Sequence, residues 1–322
     1  MKYRMLGRTD ITVSEIGYGS WAIAGGLWKG ALEAESLRAL HRAVDLGVNF
    51  IDTALVYGDG RSEELIGRFL REREERLAIA TKIPPKNGRW PARPGTSLEQ
   101  AFPYDHIIEC TERSLRNLGI ETIDLQQFHV WLDDWTGAQA WVDALGHLKE
   151  QGKIRFVGIS INDHQPTSVL KAARSGLIDS FQVIYNIFDQ SPEDVLFPLC
   201  RELNIGLIVR VPFDEGALTG AITPSTSFPE GDWRGWYFRG NRKAEVVDHV
   251  NNLRTVLGEE ARSLPELALR FCLHRSEVST VIPGMRTVAH VEANCSTSDG
   301  RRLTEPFLAS VRSHRWDKNY YQ

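Results

Sequence analysis

Four reactive side chains fall around the ends of three consecutive strand-like runs. Asp52 closes the run 48–52, Lys82 the run 77–82 and His129 the run 122–129, while Tyr57 lies in the loop just beyond Asp52. Singly, each has an ordinary explanation: a strand-end Asp caps a turn, a Tyr packs, a Lys is solvated, and a His is hydrogen-bonded core. Together they place a carboxylate, a phenol, an ammonium and an imidazole around one corner, a set suited to delivering a proton to an oxygen. An ordinary phenol titrates near pH ~10 and is a weak acid at neutrality. Lowering that value by about two units requires ~2.7 kcal/mol. An ammonium ~4 Å away supplies about 4 kcal/mol at an effective dielectric of ~20. Lys82 is therefore sufficient in magnitude to activate Tyr57, with Asp52 keeping Lys82 charged and oriented. A neutral His129 would donate a hydrogen bond to the same oxygen.

Such convergence needs strands that all end on one face. Runs rich in Val, Ile, Phe and Leu recur at 15–18, 48–52, 77–82, 122–129, 154–160, 180–186, 206–211 and 279–283. Amphipathic stretches begin near Ala34, Ser62, Asp105, Gly137, Gln165, Pro192, Leu264 and Thr287. Strands alternating with helices pair in parallel through right-handed crossovers. Eight such units predict an α/β fold, a closed (β/α)8 TIM barrel, with residues 1–322 as a single domain. Residues 3–13 read as an N-terminal β-hairpin plugging the barrel bottom. Segments 83–104 and 212–240 are long, follow strand C-termini and carry Trp90 and Trp236. Long loops on the C-terminal face are where barrel enzymes build their sites.

Composition bounds the function. The 322 residues carry 38 Lys plus Arg against 42 Asp plus Glu, a net charge of −4, without the basic excess of a phosphate-gripping nucleic-acid binder. Mean hydropathy is −0.28 and no apolar run reaches membrane-spanning length. Charges occupy the first eight residues where a signal peptide would be apolar. The four cysteines are widely spaced, with no metal-ligand pattern. A cytoplasmic protein without nucleic-acid, membrane or metal partners is expected. Gly17-Tyr18-Gly19-Ser20-Trp21-Ala22 matches a dinucleotide fingerprint, but Gly25, Gly26 and Gly30 follow where that motif needs a helix.

The wording around the four residues resembles the aldo-keto reductases, notably Asp52-Thr53-Ala54 leading to Tyr57-Gly58, Phe128-His129-Val130-Trp131, and the opening Tyr3-Arg4-Met5-Leu6-Gly7-Arg8-Thr9. The resemblance implies that Asp52, Tyr57, Lys82 and His129 form a catalytic tetrad and that NADP(H), with NAD(H) as the alternative, is the cofactor. It further implies that Ser160, Asn162 and Gln182 contact the nicotinamide carboxamide. Arg210 stands where relatives carry an aromatic residue, either stacking on the nicotinamide or forming a salt bridge. Pro212, Gly216 and Leu218 belong to a segment resembling the loop across the pyrophosphate. Gly284, Arg286, His290 and Asn294 match the adenosine end, where Arg286 would favour a 2′-phosphate. Trp21 and Trp131 by family position, and Trp90 and Trp236 by loop placement, are expected to line the pocket of a small carbonyl or alcohol substrate. The implied activity is NADP(H)-dependent reduction of an aldehyde or ketone, or the reverse. Two alternatives remain: a cofactor-binding sensor or accessory subunit, and a barrel isomerase or aldolase using Lys82 as a Schiff-base amine.

Overall fold

The computed structural model describes residues 1–322. Strand β1 (Tyr3–Met5) pairs antiparallel with β2 (Thr12–Ser14). Between them Gly7 adopts φ +54°, and a Cβ there would fall 2.2 Å from the Gly206 nitrogen, so only glycine lets the turn approach so closely. Leu6, Ile11 and Val13 then pack against Phe50, Ala78, Ala80, Leu125, Ile208 and Ile282. The hairpin thus seals the base of the barrel with apolar side chains, as the sequence predicts.

Eight parallel strands follow: β3 (Tyr18–Gly19), β4 (Phe50–Asp52), β5 (Ala78–Ile83), β6 (Ile123–Phe128), β7 (Ile154–Ser160), β8 (Ser180–Ile184), β9 (Gly206–Arg210) and β10 (Val278–Val281). Each pairs with the next, and parallel bridges Ile16–Val281 and Gly19–Gly284 join the first to the last. The fold is a (β/α)8 barrel. At that seam a Cβ on Gly19 would lie 2.6 Å from the Ile282 carbonyl oxygen, so the closure depends on glycine.

The helices are α1 (Glu33–Asp45), α2 (Arg61–Leu70), α3 (Leu98–Ala101), α4 (Tyr104–Leu118), α5 (Gln139–Glu150) and α6 (Leu170–Arg174). They continue with α7 (Leu196–Leu203), α8 (Trp233–Tyr237), α9 (Arg242–Arg254), α10 (Leu264–His274), α11 (Val288–Cys295) and α12 (Glu305–Arg312). None is long and apolar enough to cross a membrane. The helix expected from Gln165 begins instead at Leu170, because its first amides are capped from a distant loop. Lys171 N and Ala172 N donate to the Asp133 carboxylate at 2.7 and 3.0 Å. The long segments after β5 and β9 are not structureless. The first holds α3, started by a Ser97–Gln100 capping box, and the second holds a 3-10 turn over Asp214–Thr219 and then α8.

Candidate active site

Alternate residues of a strand face the same side. Phe50, Ala80, Leu125 and Ile208 fill the barrel interior at its base. Steps of two toward the C-terminal ends therefore bring Asp52, Lys82, Gln127, then His129, and Arg210 to the inner mouth. The register agrees, with Asp52 opposite Ala80 and Lys82 opposite Gln127.

Lys82 Nζ donates to Asp52 Oδ2 at 2.6 Å and to the Thr53 carbonyl at 2.8 Å. Both side chains are out of water, at 0 % and 3 % exposure. Asp52 Oδ1 accepts from Gln182 Nε2 at 2.7 Å and Gln127 Nε2 at 3.3 Å. Burial draws the Lys82 pKa below its ordinary value, and the Asp52 carboxylate opposes that pull. The ammonium lies 5.2 Å from the centre of the Tyr57 ring. The His129 imidazole stands edge-on to the same ring, centres 5.8 Å apart.

The electrostatics of Tyr57 differ from the sequence expectation. Packing around the hydroxyl pushes its pKa above the ordinary phenol value, Asp52 adds to the rise, and Arg210 is the cation that pulls the other way. Lys82 does less than expected because Asp52, 2.6 Å from its nitrogen, cancels much of its field at the phenol. His129 is driven well below the ordinary imidazole value, first by burial and then by Lys82 and Arg210, so it is neutral. Its Nδ1 is buried without a hydrogen-bond partner.

Aromatic side chains wall the mouth. Trp21 stacks on Tyr57 with centres 6.1 Å apart, and Trp90, 41 % exposed, meets His129 edge-on at 5.7 Å. Trp233 connects this wall to Trp236, at 6.2 Å from Trp21 and 4.7 Å from Trp236. Trp131 is placed elsewhere: it is wholly buried among Phe128, Trp135 and Trp141, so it backs the pocket rather than lining it.

Of the carboxamide candidates, Ser160 makes no side-chain hydrogen bond, and Gln182 spends its amide nitrogen on Asp52 while its carbonyl end takes no partner. Asn162 departs from expectation. Its Oδ1 accepts from Ala92 N at 3.3 Å and Trp131 N at 3.4 Å, and its Nδ2 donates to Trp131 O at 2.9 Å and Gln165 Oε1 at 3.2 Å. No donor or acceptor is left for a cofactor amide. For Arg210 the salt bridge is the alternative observed: Nη2 donates to Asp163 Oδ1 at 2.7 Å and to the Ile161 carbonyl at 3.0 Å.

Beyond β9 the loop is unusually bent. Val211, Asp214 and Glu215 all have positive φ, a conformation disfavoured for side chains other than glycine, and Gly216 follows at +102°. Pro212 and Leu218 are buried beneath it. Residues 316–322, which sequence reasoning did not connect to the site, hold this loop down. Lys318 Nζ reaches Asp214 Oδ1 at 2.7 Å, and the Tyr321 hydroxyl donates to Glu215 Oε1 at 2.5 Å. A segment one hundred residues downstream offers no local signal for such a contact.

At the other edge, Gly284 is exposed and Thr287 caps α11 by accepting from His290 N at 3.2 Å. Arg286 Nη1 donates to the Lys29 carbonyl at 3.0 Å, which leaves most of its donors free. His290 is exposed. Asn294 lines a groove with Arg262, Glu266 and Arg301 between α10 and α11. Gln127 was overlooked in sequence, although its position two residues before His129 already puts it on the inner face.

A model of the aldo/keto reductase family matches residues 15–315. The chain belongs to the aldo/keto reductase family. The holo form of the aldo-keto reductase AKR11C1 from Bacillus halodurans is similar with a TM-score of 0.77 and 29 % identity, covering 100 % of both chains. An NADH-specific methylglyoxal reductase of Escherichia coli (strain K12) is 31 % identical over 95 % of this chain and 98 % of its own length. A probable voltage-gated potassium channel subunit beta of Arabidopsis thaliana is 30 % identical over 96 % of this chain and 94 % of its own. Aldo-keto reductases are oxidoreductases that bind nicotinamide cofactors. In this family member Asp52, Lys82, Tyr57 and His129 lie together at the polar mouth just described.

Proposed function

We propose that the protein reduces an aldehyde or ketone to an alcohol with NADPH, or runs the reverse reaction, with Tyr57 as the general acid. One observation carries this reading: the buried Lys82–Asp52 pair, the Tyr57 ring 5.2 Å from its nitrogen and the His129 ring 5.8 Å from Tyr57 converge on one point of the mouth. When bound, a nicotinamide dinucleotide supplies the hydride. The residues fit such a group: Ser160 and the Gln182 carbonyl end are free for its amide, Gly216 lies on the bent loop, and Gly284, Arg286, His290 and Asn294 remain the candidates for the adenosine end.

This chain's own residues do the proton chemistry. The raised pKa keeps the proton on Tyr57 in the resting state, which is the form a reduction needs. As charge develops on the substrate oxygen, the phenol and a neutral His129 share it. Arg210, the cation that opposes the rise in the Tyr57 pKa, limits the phenolate's energy. Trp21 and Trp90 hold the carbonyl compound against the two donors and exclude water. The test is NADPH oxidation across a panel of carbonyl compounds. Turnover is the expected result.

A second reading, a cofactor-binding sensor or accessory subunit with little turnover, draws on the likeness to the plant protein named for a channel subunit. Tight NADPH binding without oxidation of any compound would establish it instead.

For cofactor choice, Arg286→Ala is expected to weaken NADPH binding about tenfold or more, since a hydrogen bond to a charged group contributes roughly 1.5–3 kcal/mol. NADH binding should change little. Equal losses for the two cofactors, read by fluorescence titration, would remove the phosphate role.

A pH effect arises at Glu215. Burial pushes its carboxyl up to about 7, with Asp214 and Asp163 adding to the rise and Tyr321 and Arg210 opposing it. The folded protein therefore favours the neutral acid, whereas the unfolded chain loses this proton near pH ~4.3. The stabilisation is fully present below that value and declines by ~1.4 kcal/mol per unit as pH rises toward 7. Glu215→Gln keeps an acceptor for Tyr321 and should abolish this component. In urea unfolding at pH 5 and pH 8, wild type minus variant should differ between the two; an identical difference at both would contradict the assignment.

A further inference from the structure

The family resemblance implies that Asn162 contacts the cofactor amide, but its surroundings assign it other work. Three loops on the C-terminal face meet at its side chain: the loop after β5 through Ala92, the loop after β6 through both backbone groups of Trp131, and its own loop after β7 through Gln165. The residue is 3 % exposed, and all four of its side chain's hydrogen-bonding positions are used. Ala92 lies two residues from Trp90, whose ring stands 5.7 Å from His129. Trp131 follows His129 by two residues and anchors the cluster of Phe128, Trp135 and Trp141.

We infer that Asn162 is a positioning residue for the carbonyl substrate: it ties the loop bearing Trp90 to the loop following His129 and so sets the width of the slot between them. This rests on the proposed reductase reading, because the slot is argued to hold the carbonyl. The physical reason is geometric. A loop tip carrying a partly exposed indole has few contacts of its own, and loops of this kind are mobile unless fixed to a rigid element. Asn162 lies two residues past Ser160, the end of β7, so it transmits the position of the barrel strand to both loops. Loss of the clamp frees Trp90 to move relative to His129, and a misplacement of about 1 Å costs on the order of 10²-fold in rate. Compounds large enough to touch Trp90 should be affected. Those that contact only Tyr57 and His129 should not.

The experiment compares wild type with Asn162→Ala and with Asn162→Asp, which keeps the volume and an acceptor for both amides. NADPH dissociation constants are measured beside KM and kcat for one aryl carbonyl and one three-carbon carbonyl. The expected result is a KM increase of about fivefold or more for the aryl compound, with the small compound and NADPH affinity within about twofold of wild type. In a Trp90→Ala background the Asn162 effect on KM should disappear, which a purely structural defect would not produce. A tenfold loss of NADPH affinity, or equal KM changes for both carbonyls, would overturn the inference. If both variants fail to fold, hydrogen exchange at the Ala92 and Trp131 amides of wild type decides: slow exchange supports the clamp, and exchange as fast as an open loop refutes it. Wild type that binds NADPH but reduces nothing would instead sink the reductase reading, whatever the exchange rates show.

Discussion

Tyr57→Phe should lower kcat by about 10²–10⁴-fold, the usual contribution of a positioned general acid, while leaving the protein folded and able to bind NADPH. The hydroxyl makes no hydrogen bond within the protein, and the ring's contacts with Trp21 and His129 are ones phenylalanine preserves. Stability should therefore move by no more than about 0.5 kcal/mol, as for substitutions that disturb no packing or buried polar group. The raised Tyr57 pKa sharpens the expectation. A phenol that holds its proton over the whole neutral range donates it only as the substrate oxygen becomes basic, so kcat for reduction should be flat from pH 6 to pH 8 in wild type. Steady-state rates, NADPH titration and thermal unfolding together check this. A variant retaining more than a tenth of wild-type kcat would show that the proton comes from elsewhere, with His129 or a solvent path as the next candidate.

Much of the architecture was open to sequence reasoning because barrel strands are short apolar runs with distinct ends. All eight expected runs contain or adjoin an observed strand, and period-two parity carries Asp52, Lys82 and His129 to one face without further information. The first run shows where such reading thins out. Only Tyr18–Gly19 is strand; residues 15–17 meet the last strand through an isolated bridge, Gly17 N donating to the Val281 carbonyl at 2.8 Å and Val281 N to the Glu15 carbonyl at 2.9 Å. Helices α9 and α12 were not anticipated. In α9 only Val246, Val250 and Leu253 are buried, too sparse a stripe to stand out in a polar segment. The harder features are non-local. Whether Asn162 faces a cofactor or two loops depends on where Ala92 and Trp131 return in space, and Glu215 meets a hydroxyl more than one hundred residues away. Residue types announce the reactive groups, but hydrogen-bond capacity is allotted only once the loops are placed.

Lys82→Met should be the most damaging single change to stability among the reactive residues. Lys82 and Asp52 are both buried, and removing one partner of such a pair leaves the other charge uncompensated, at about 3–5 kcal/mol. Two donors would remain on Asp52, from Gln182 and Gln127, both reaching Oδ1. Oδ2, which now faces the ammonium at 2.6 Å, would face a methionine thioether and the Thr53 carbonyl oxygen. That second acceptor makes the cavity more hostile to a carboxylate than simple loss of a cation. The double variant Lys82→Met/Asp52→Asn removes the orphaned charge and should recover more than half of the lost stability, since replacing a whole buried pair is often nearly neutral. Activity should not return with it, because neither variant restores the Lys82 ammonium that packs 5.2 Å from the centre of the Tyr57 ring and fixes its place at the mouth. Urea unfolding of wild type, single and double variants, run beside the reductase assay, separates the two effects. A single variant within about 1 kcal/mol of wild type would mean that the pair is not the buried ionic unit its geometry describes.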